Sequence, residues 1–117
     1  MDECRYFHNP RCSKSRAALA LLQARGIEPE IVAYLDAPPS IEELQALLQA
    51  LGMAPRNLLR TGEEAYKALG LDDPGVDDAR LLAAMHSHPK LIERPIFVRG
   101  QRAVVGRPPE RVLELLD

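Results

Sequence analysis

The sequence has no tryptophan, three tyrosines and two phenylalanines, too few rings for the aromatic stacking platforms on which proteins lay out single-stranded nucleic acid. It also lacks an excess of one charge. Fifteen Lys+Arg stand against seventeen Asp+Glu, giving a net charge of -2 and a pI near 5.9, whereas a generic nucleic-acid binder is strongly basic. No nucleic-acid partner is expected. No apolar run approaches the ~20 residues of a membrane-spanning helix, and Met1-Asp2-Glu3 is acidic where a signal peptide is basic. Two cysteines cannot form a disulfide framework, so they read as reduced thiols of a cytoplasmic protein. A chain of 117 residues has the size of one domain and is too short for two independent cores.

What is present is the balance of an ordinary globular protein, with 46% hydrophobic and 27% charged residues and a mostly aliphatic core. Cys4-Arg5-Tyr6-Phe7-His8 reads as a strand ended by Asn9-Pro10. A helix follows from Ser13 or Ser15 as N-cap, carries Ala18, Leu19 and Leu22 inward, and stops at Gly26. Glu30 to Tyr34 supplies a second strand at a distance that suits a parallel βαβ crossover. Ser40 and Glu43 form a capping box for a helix in which Ile41, Leu44, Leu47, Leu48 and Leu51 follow at helical spacing, the leucines reading as core, until Gly52. Further helical turns are predicted over Arg56 to Leu59, Glu63 to Leu69 and Asp77 to His88. Ile96-Phe97-Val98 and Ala103-Val104-Val105 flank a turn and read as an antiparallel hairpin, and Pro108-Pro109 opens a terminal helix. The fold class is α/β, with β-α-β, a helical insert over about 40–90, then β-β-α, all within one domain of residues 1–117.

The chemically informative stretch runs from His8 to Arg16. Cys12 lies between the first strand and the first helix, where unpaired N–H groups and the helix dipole favour negative charge. Arg11, Lys14 and Arg16 lie within four residues of it, and His8 adds a fourth cation when protonated. All of these would lower a thiol's pKa, so Cys12 reads as a thiolate nucleophile in a loop that would also hold an oxyanion. The bland alternative, a thiol buried as a small hydrophobe, fits poorly with a polar, basic, proline-bounded loop.

Cys12 and Ser15 make a C-x-x-S pair, which lacks the resolving thiol of a two-cysteine mechanism. Cys4 lies four residues upstream of His8, about 13 Å along a strand at ~3.3 Å per residue, and a disulfide needs Cα atoms within about 7 Å. Any covalent intermediate on Cys12 therefore needs an external thiol. The Cys12 to Arg16 span is also too short to encircle an anion as a cysteine phosphatase loop does. His86 and His88 point to different faces of a helix and have no patterned cysteine or carboxylate beside them, so no metal site is expected and a charge role at a helix C-terminus is the simpler reading.

The stretch from Tyr6 to Arg16 resembles the opening of the glutaredoxin-coupled arsenate reductase family. Four later segments resemble that family's motifs in the same order: Tyr34-Leu35-Asp36-Ala37-Pro38-Pro39-Ser40, Asn57-Leu58-Leu59-Arg60, Glu93-Arg94-Pro95-Ile96 and Val105-Gly106-Arg107-Pro108. The resemblance implies a thioredoxin-like fold with a helical insert and a cis Pro95 beside the thiol. It implies that Cys12 is the nucleophile, that Arg60, Arg94 and Arg107 bind the oxyanion, and that His8 is a loop residue near the thiolate. It further implies reduction of arsenate to arsenite, with glutathione as co-substrate, glutaredoxin as partner and no bound cofactor, and Ser15 in place of a second cysteine agrees with this use of outside thiols.

Two features depart from the longer members of the family: the sequence ends at Asp117 where they carry a further C-terminal tail, and the loop reads Ser13-Lys14-Ser15 where well-known members have Gly-Thr-Ser. Neither removes a named site residue. Two other readings use the same fold. A glutathione-dependent thiol reductase would keep Cys12 without arsenate. A redox-sensing regulator of the Spx type would bind RNA polymerase, but such sensors often switch through a C-x-x-C pair and need no triad of arginines.

Overall fold

The computed structural model describes residues 3–116, so Met1 and Asp2, read above as too acidic for a signal peptide, and the terminal Asp117 lie outside it. The chain divides into two compact units, one of residues 3–37 and 94–116 and the other of residues 38–93.

The first unit holds a four-stranded mixed sheet in the order β2-β1-β3-β4. Strand β1 (Cys4–Phe7) runs into the loop that leads to helix α1 (Ser13–Ala24), and β2 (Glu30–Val32) returns parallel to β1 with Tyr6 opposite Ile31. Strands β3 (Ile96–Arg99) and β4 (Arg102–Val105) form the antiparallel hairpin, and β3 pairs antiparallel with β1, Tyr6 opposite Phe97. The hairpin turns through Gly100 at φ +61°, a left-handed conformation open to glycine because it has no Cβ. Tyr6, Ala18, Leu22, Phe97, Val104, Val112 and Leu115 form one buried cluster. On the opposite face of β1, Phe7 meets the Tyr34 ring at 6.5 Å between centroids.

The second unit is helical. Helix α2 (Ile41–Leu51) starts on the reciprocal Ser40–Glu43 capping box and ends with Gly52 at φ +68°. A 3-10 turn follows at Pro55–Leu58, then α3 (Glu64–Ala68) and α4 (Asp78–Ser87), whose N-cap Asp77 accepts the Arg80 N–H at 3.0 Å. Leu44, Leu47, Leu48, Leu81, Leu82 and Met85 are buried, so the leucines of α2 are core residues as their spacing predicts.

Several expectations needed revision. Neither Ser13 nor Ser15 caps α1: Cys12 does, with extended backbone angles, and its carbonyl takes the first helical hydrogen bond from the Arg16 N–H at 3.0 Å. Strand β2 stops at Val32 rather than Tyr34, because Ala33 to Asp36 turns back on itself through the Asp36 and Ala37 N–H bonds to the Ala33 carbonyl. The terminal helix is a 3-10 helix over Pro109–Leu115, bonded from residue i to i+3 as in Arg111 N–H to Pro108 O. With three residues per turn, Val112 and Leu115 fall on one side, and both are buried.

Candidate active site

Helix α1 presents its first turn to Cys12, which is partly buried at the N-cap. The loop is shaped by Asn9, whose carbonyl accepts the Cys12 N–H and whose side-chain oxygen accepts the Arg11 N–H, each at 3.0 Å. Ser15 is fully buried. Its hydroxyl oxygen accepts the Asn9 N–H at 3.0 Å and lies 2.8 Å from His8 Nδ1.

Burial of the Cys12 sulfur raises its pKa, but the Ser15 N–H, the Arg94 charge, the Lys14 N–H and the Arg94 hydrogen bond together more than offset this, so the thiol ends below its ordinary value. The sulfur makes no full capping hydrogen bond, so these N–H groups act on it mainly through their dipoles. The acidity therefore has two sources, the first turn of α1 and one guanidinium from the segment before β3.

Two expectations about charge change here. The charges of Arg11, Lys14 and Arg16 are not among the main causes that lower the Cys12 pKa. They are exposed, and charges held in water are screened; Arg16 also donates to the Pro10 carbonyl at 2.8 Å. His8 is disfavoured as an additional cation: burial first, and then the Arg16 charge, lower its pKa from the ordinary histidine value.

Arg94 precedes Pro95, and the Arg94–Pro95 peptide is cis as the resemblance implied; Arg107–Pro108 is cis as well, which spacing did not suggest. Arg107 Nε donates to the Arg94 carbonyl at 2.8 Å, so one expected oxyanion ligand holds the backbone of another. Gly106, between them in the fold, bonds its N–H to the Pro95 carbonyl at 2.9 Å. A Cβ there would lie 2.9 Å from Pro95 Cγ and 3.0 Å from Val112 Cγ1, so the close approach requires glycine.

Of the expected site residues, Cys12, His8, Ser15, Arg94, Pro95 and Arg107 thus lie in the sheet unit. Arg60 lies in the helical unit, where its guanidinium pairs with Glu63 at 2.7 Å and donates to the Lys90 carbonyl at 3.3 Å. His86 lies in the last turn of α4, and its ring Nδ1 is 2.8 Å from the Pro39 carbonyl, a bond that ties α4 to the segment before α2. Tyr6 was read only as a strand residue. Its hydroxyl reaches the Ser15 carbonyl at 2.5 Å, and the only sign in the sequence is a polar ring at an inward strand position.

The family model described as the ArsC family matches residues 7–115. The arsenate reductase of Neisseria meningitidis serogroup A is 50% identical over 117 residues, covering 99% of this chain and 100% of that one. That of Haemophilus influenzae is 49% identical over 111 residues, covering 94% and 96%. The solved structure of an arsenate reductase from Vibrio cholerae superposes with a TM-score of 0.95 at 52% identity, covering 98% of each chain. These similarities bear on the fold over nearly its whole length, including the thioredoxin-like arrangement of the sheet.

Proposed function

Because this chain belongs to the ArsC family, over residues 7–115 and with relatives 50% identical, we propose that it reduces arsenate to arsenite with Cys12 as nucleophile and Arg94 and Arg107 as oxyanion ligands. The observation that carries this reading is the acid-shifted thiol at the α1 N-cap with the Arg94 guanidinium acting on the same sulfur. A thiolate and an arsenate repel each other, and fixed cations offset that repulsion at the point of attack. Arginine suits the task because its planar fork donates paired hydrogen bonds to adjacent oxygens and stays charged when partly desolvated. Arg60 enters by resemblance alone, and Arg60→Ala tests it.

In the first step the Cys12 sulfur forms a bond to arsenic and one As–O bond breaks, its oxygen leaving as water after protonation. Glutathione then attacks the Cys12 sulfur. The S–As pair stays on arsenic, which passes from As(V) to As(III), while the two thiols are oxidised to a Cys12–glutathione disulfide. A glutaredoxin thiol resolves that disulfide and frees Cys12. Ser15 at the fourth position of C-x-x-S supports this order, since no local thiol competes. Glutathione and glutaredoxin belong to the reducing cytoplasm, the compartment expected for a chain with too few cysteines for a disulfide framework.

The test is arsenite formation by the purified chain with glutathione and glutaredoxin. Turnover is expected in the wild type, none above background in Cys12→Ser, and a loss of about tenfold or more in Arg94→Ala, the order expected for removing a charge-stabilising donor. A wild type that makes no arsenite while Cys12 is readily glutathionylated would overturn arsenate as substrate and favour a glutathione-dependent thiol reductase. RNA polymerase binding without turnover would instead favour the regulator.

A further inference from the structure

Strand β1 passes beneath α1 with Tyr6 at the centre of the sheet, fully buried in the cluster with Ala18, Leu22 and Phe97. A buried phenol needs a hydrogen-bond partner. It finds one in the helix: the Tyr6 hydroxyl donates to the Ser15 carbonyl at 2.5 Å, and its oxygen also meets the Leu19 N–H. Residues 15 and 19 are the two ends of one rung of the α-helical ladder, so the phenol grips the first turn of α1 at that rung. The same turn carries the Ser15 N–H, the largest of the contacts that favour ionised Cys12.

We propose that Tyr6 is a positioning residue for the nucleophile: its buried hydroxyl, by holding the Ser15 carbonyl, fixes the first turn of α1 so that the Ser15 N–H stays directed at the Cys12 sulfur. This role rests on the reading of Cys12 as the reactive thiol and adds a residue outside the loop to its support. Tyr6 acts through the helix and supplies no charge. Burial first raises its pKa, to about 12; contact with Ser15 opposes that rise and the Cys12 charge adds to it. The phenol therefore stays protonated and keeps donating while Cys12 ionises. The other charged and titratable groups around Cys12 are Arg94 from the segment before β3, His8 at the end of β1, and Arg11, Lys14 and Arg16 on its own loop and helix. Tyr6→Phe changes none of these.

The experiment is the pH dependence of Cys12 alkylation by iodoacetamide, measured in a Cys4→Ser background so that one thiol reports. Tyr6→Phe is expected to move the midpoint up by about half a pH unit, which at pH 7 means about threefold slower alkylation, with the rate at high pH unchanged. Arsenite turnover at pH 7 should fall in parallel and recover toward higher pH. A loss of packing alone would lower the thermal midpoint without moving the alkylation profile. Tyr6→Leu removes the hydroxyl in a second apolar form, so failure of either variant to fold leaves the other to decide. A folded variant whose midpoint equals that of an acid-shifted wild type overturns the role of Tyr6 and leaves the thiolate reading intact. A wild-type midpoint in the ordinary thiol range overturns both.

Discussion

In the helical unit the side chains that bound the helices act locally, while the long-range bonds, His86 to the Pro39 carbonyl and Arg60 to the Lys90 carbonyl, tie separate segments together. Ser40 and Glu43 cap their own helix, Asp77 caps the next, and Arg60 pairs with Glu63 three residues on. In the sheet unit polar side chains converge from far apart in the sequence: Tyr6 on the Ser15 carbonyl, Arg94 on the Cys12 sulfur and Arg107 on the Arg94 carbonyl. Short-range contacts stabilise helix ends at little cost in chain ordering. Contacts of high sequence separation require the sheet to form first, and they can then place charges and dipoles on one atom with a precision that a single loop lacks. What sets the sheet unit apart is that its long-range contacts converge on the surroundings of one thiol.

Substitutions in the two units should therefore differ in kind. The largest effect is expected at Cys12 itself: Cys12→Ser should bring arsenite formation to background while leaving the urea denaturation curve nearly unchanged, since the thiol is partly exposed. Next is Gly106→Ala, whose Cβ would meet Pro95 and Val112. Overpacking of this kind costs about 1–3 kcal/mol, and because Pro95 follows Arg94 directly, the Cys12 alkylation rate should fall along with the denaturation midpoint. Ser40→Ala breaks the capping box and should cost about 1 kcal/mol with no change in the Cys12 alkylation profile. If Ser40→Ala shifted that profile as much as Gly106→Ala, the division between the two units would not hold. The smallest effect is expected for Lys14→Ala, which should leave both the profile and the stability within error.

Local signals made much of the helical unit legible. The Ser40–Glu43 spacing, Gly52 and Asp77 act within one turn of the helices they bound, so α2 and α4 follow from neighbours in the chain. The hairpin was legible for the same reason. Cys12 as N-cap was not, because serine and threonine are the usual caps and the two candidate serines lie one and three residues beyond the true cap. The 3-10 form of the last helix escaped because apolar spacing at i and i+3 suits either helix type. At the site, the loop pointed to Cys12, whose pKa is lowered, but the charge that chiefly lowers it comes from outside the loop. Arg11, Lys14 and Arg16 are near Cys12 in sequence and exposed in the fold, whereas Arg94 is remote in sequence and acts on the sulfur. Only resemblance pointed to Arg94, and for Tyr6 the one sign was a polar ring at an inward strand position. That His8 is disfavoured as a cation could not be read either, because burial, which lowers its pKa, is a property of the fold.

The central claim, that a helix turn and a remote arginine rather than the loop's own cations make Cys12 acidic, is tested most directly by the pH midpoint of Cys12 alkylation in three proteins. In the Cys4→Ser background the midpoint should lie below the ordinary thiol range of about 8.5. Because Arg94 favours the ionised form, Arg94→Ala should move it upward by about one pH unit, while Arg11→Ala combined with Lys14→Ala should leave it in place. A midpoint that rises with the loop substitutions and stays fixed in Arg94→Ala would contradict the account.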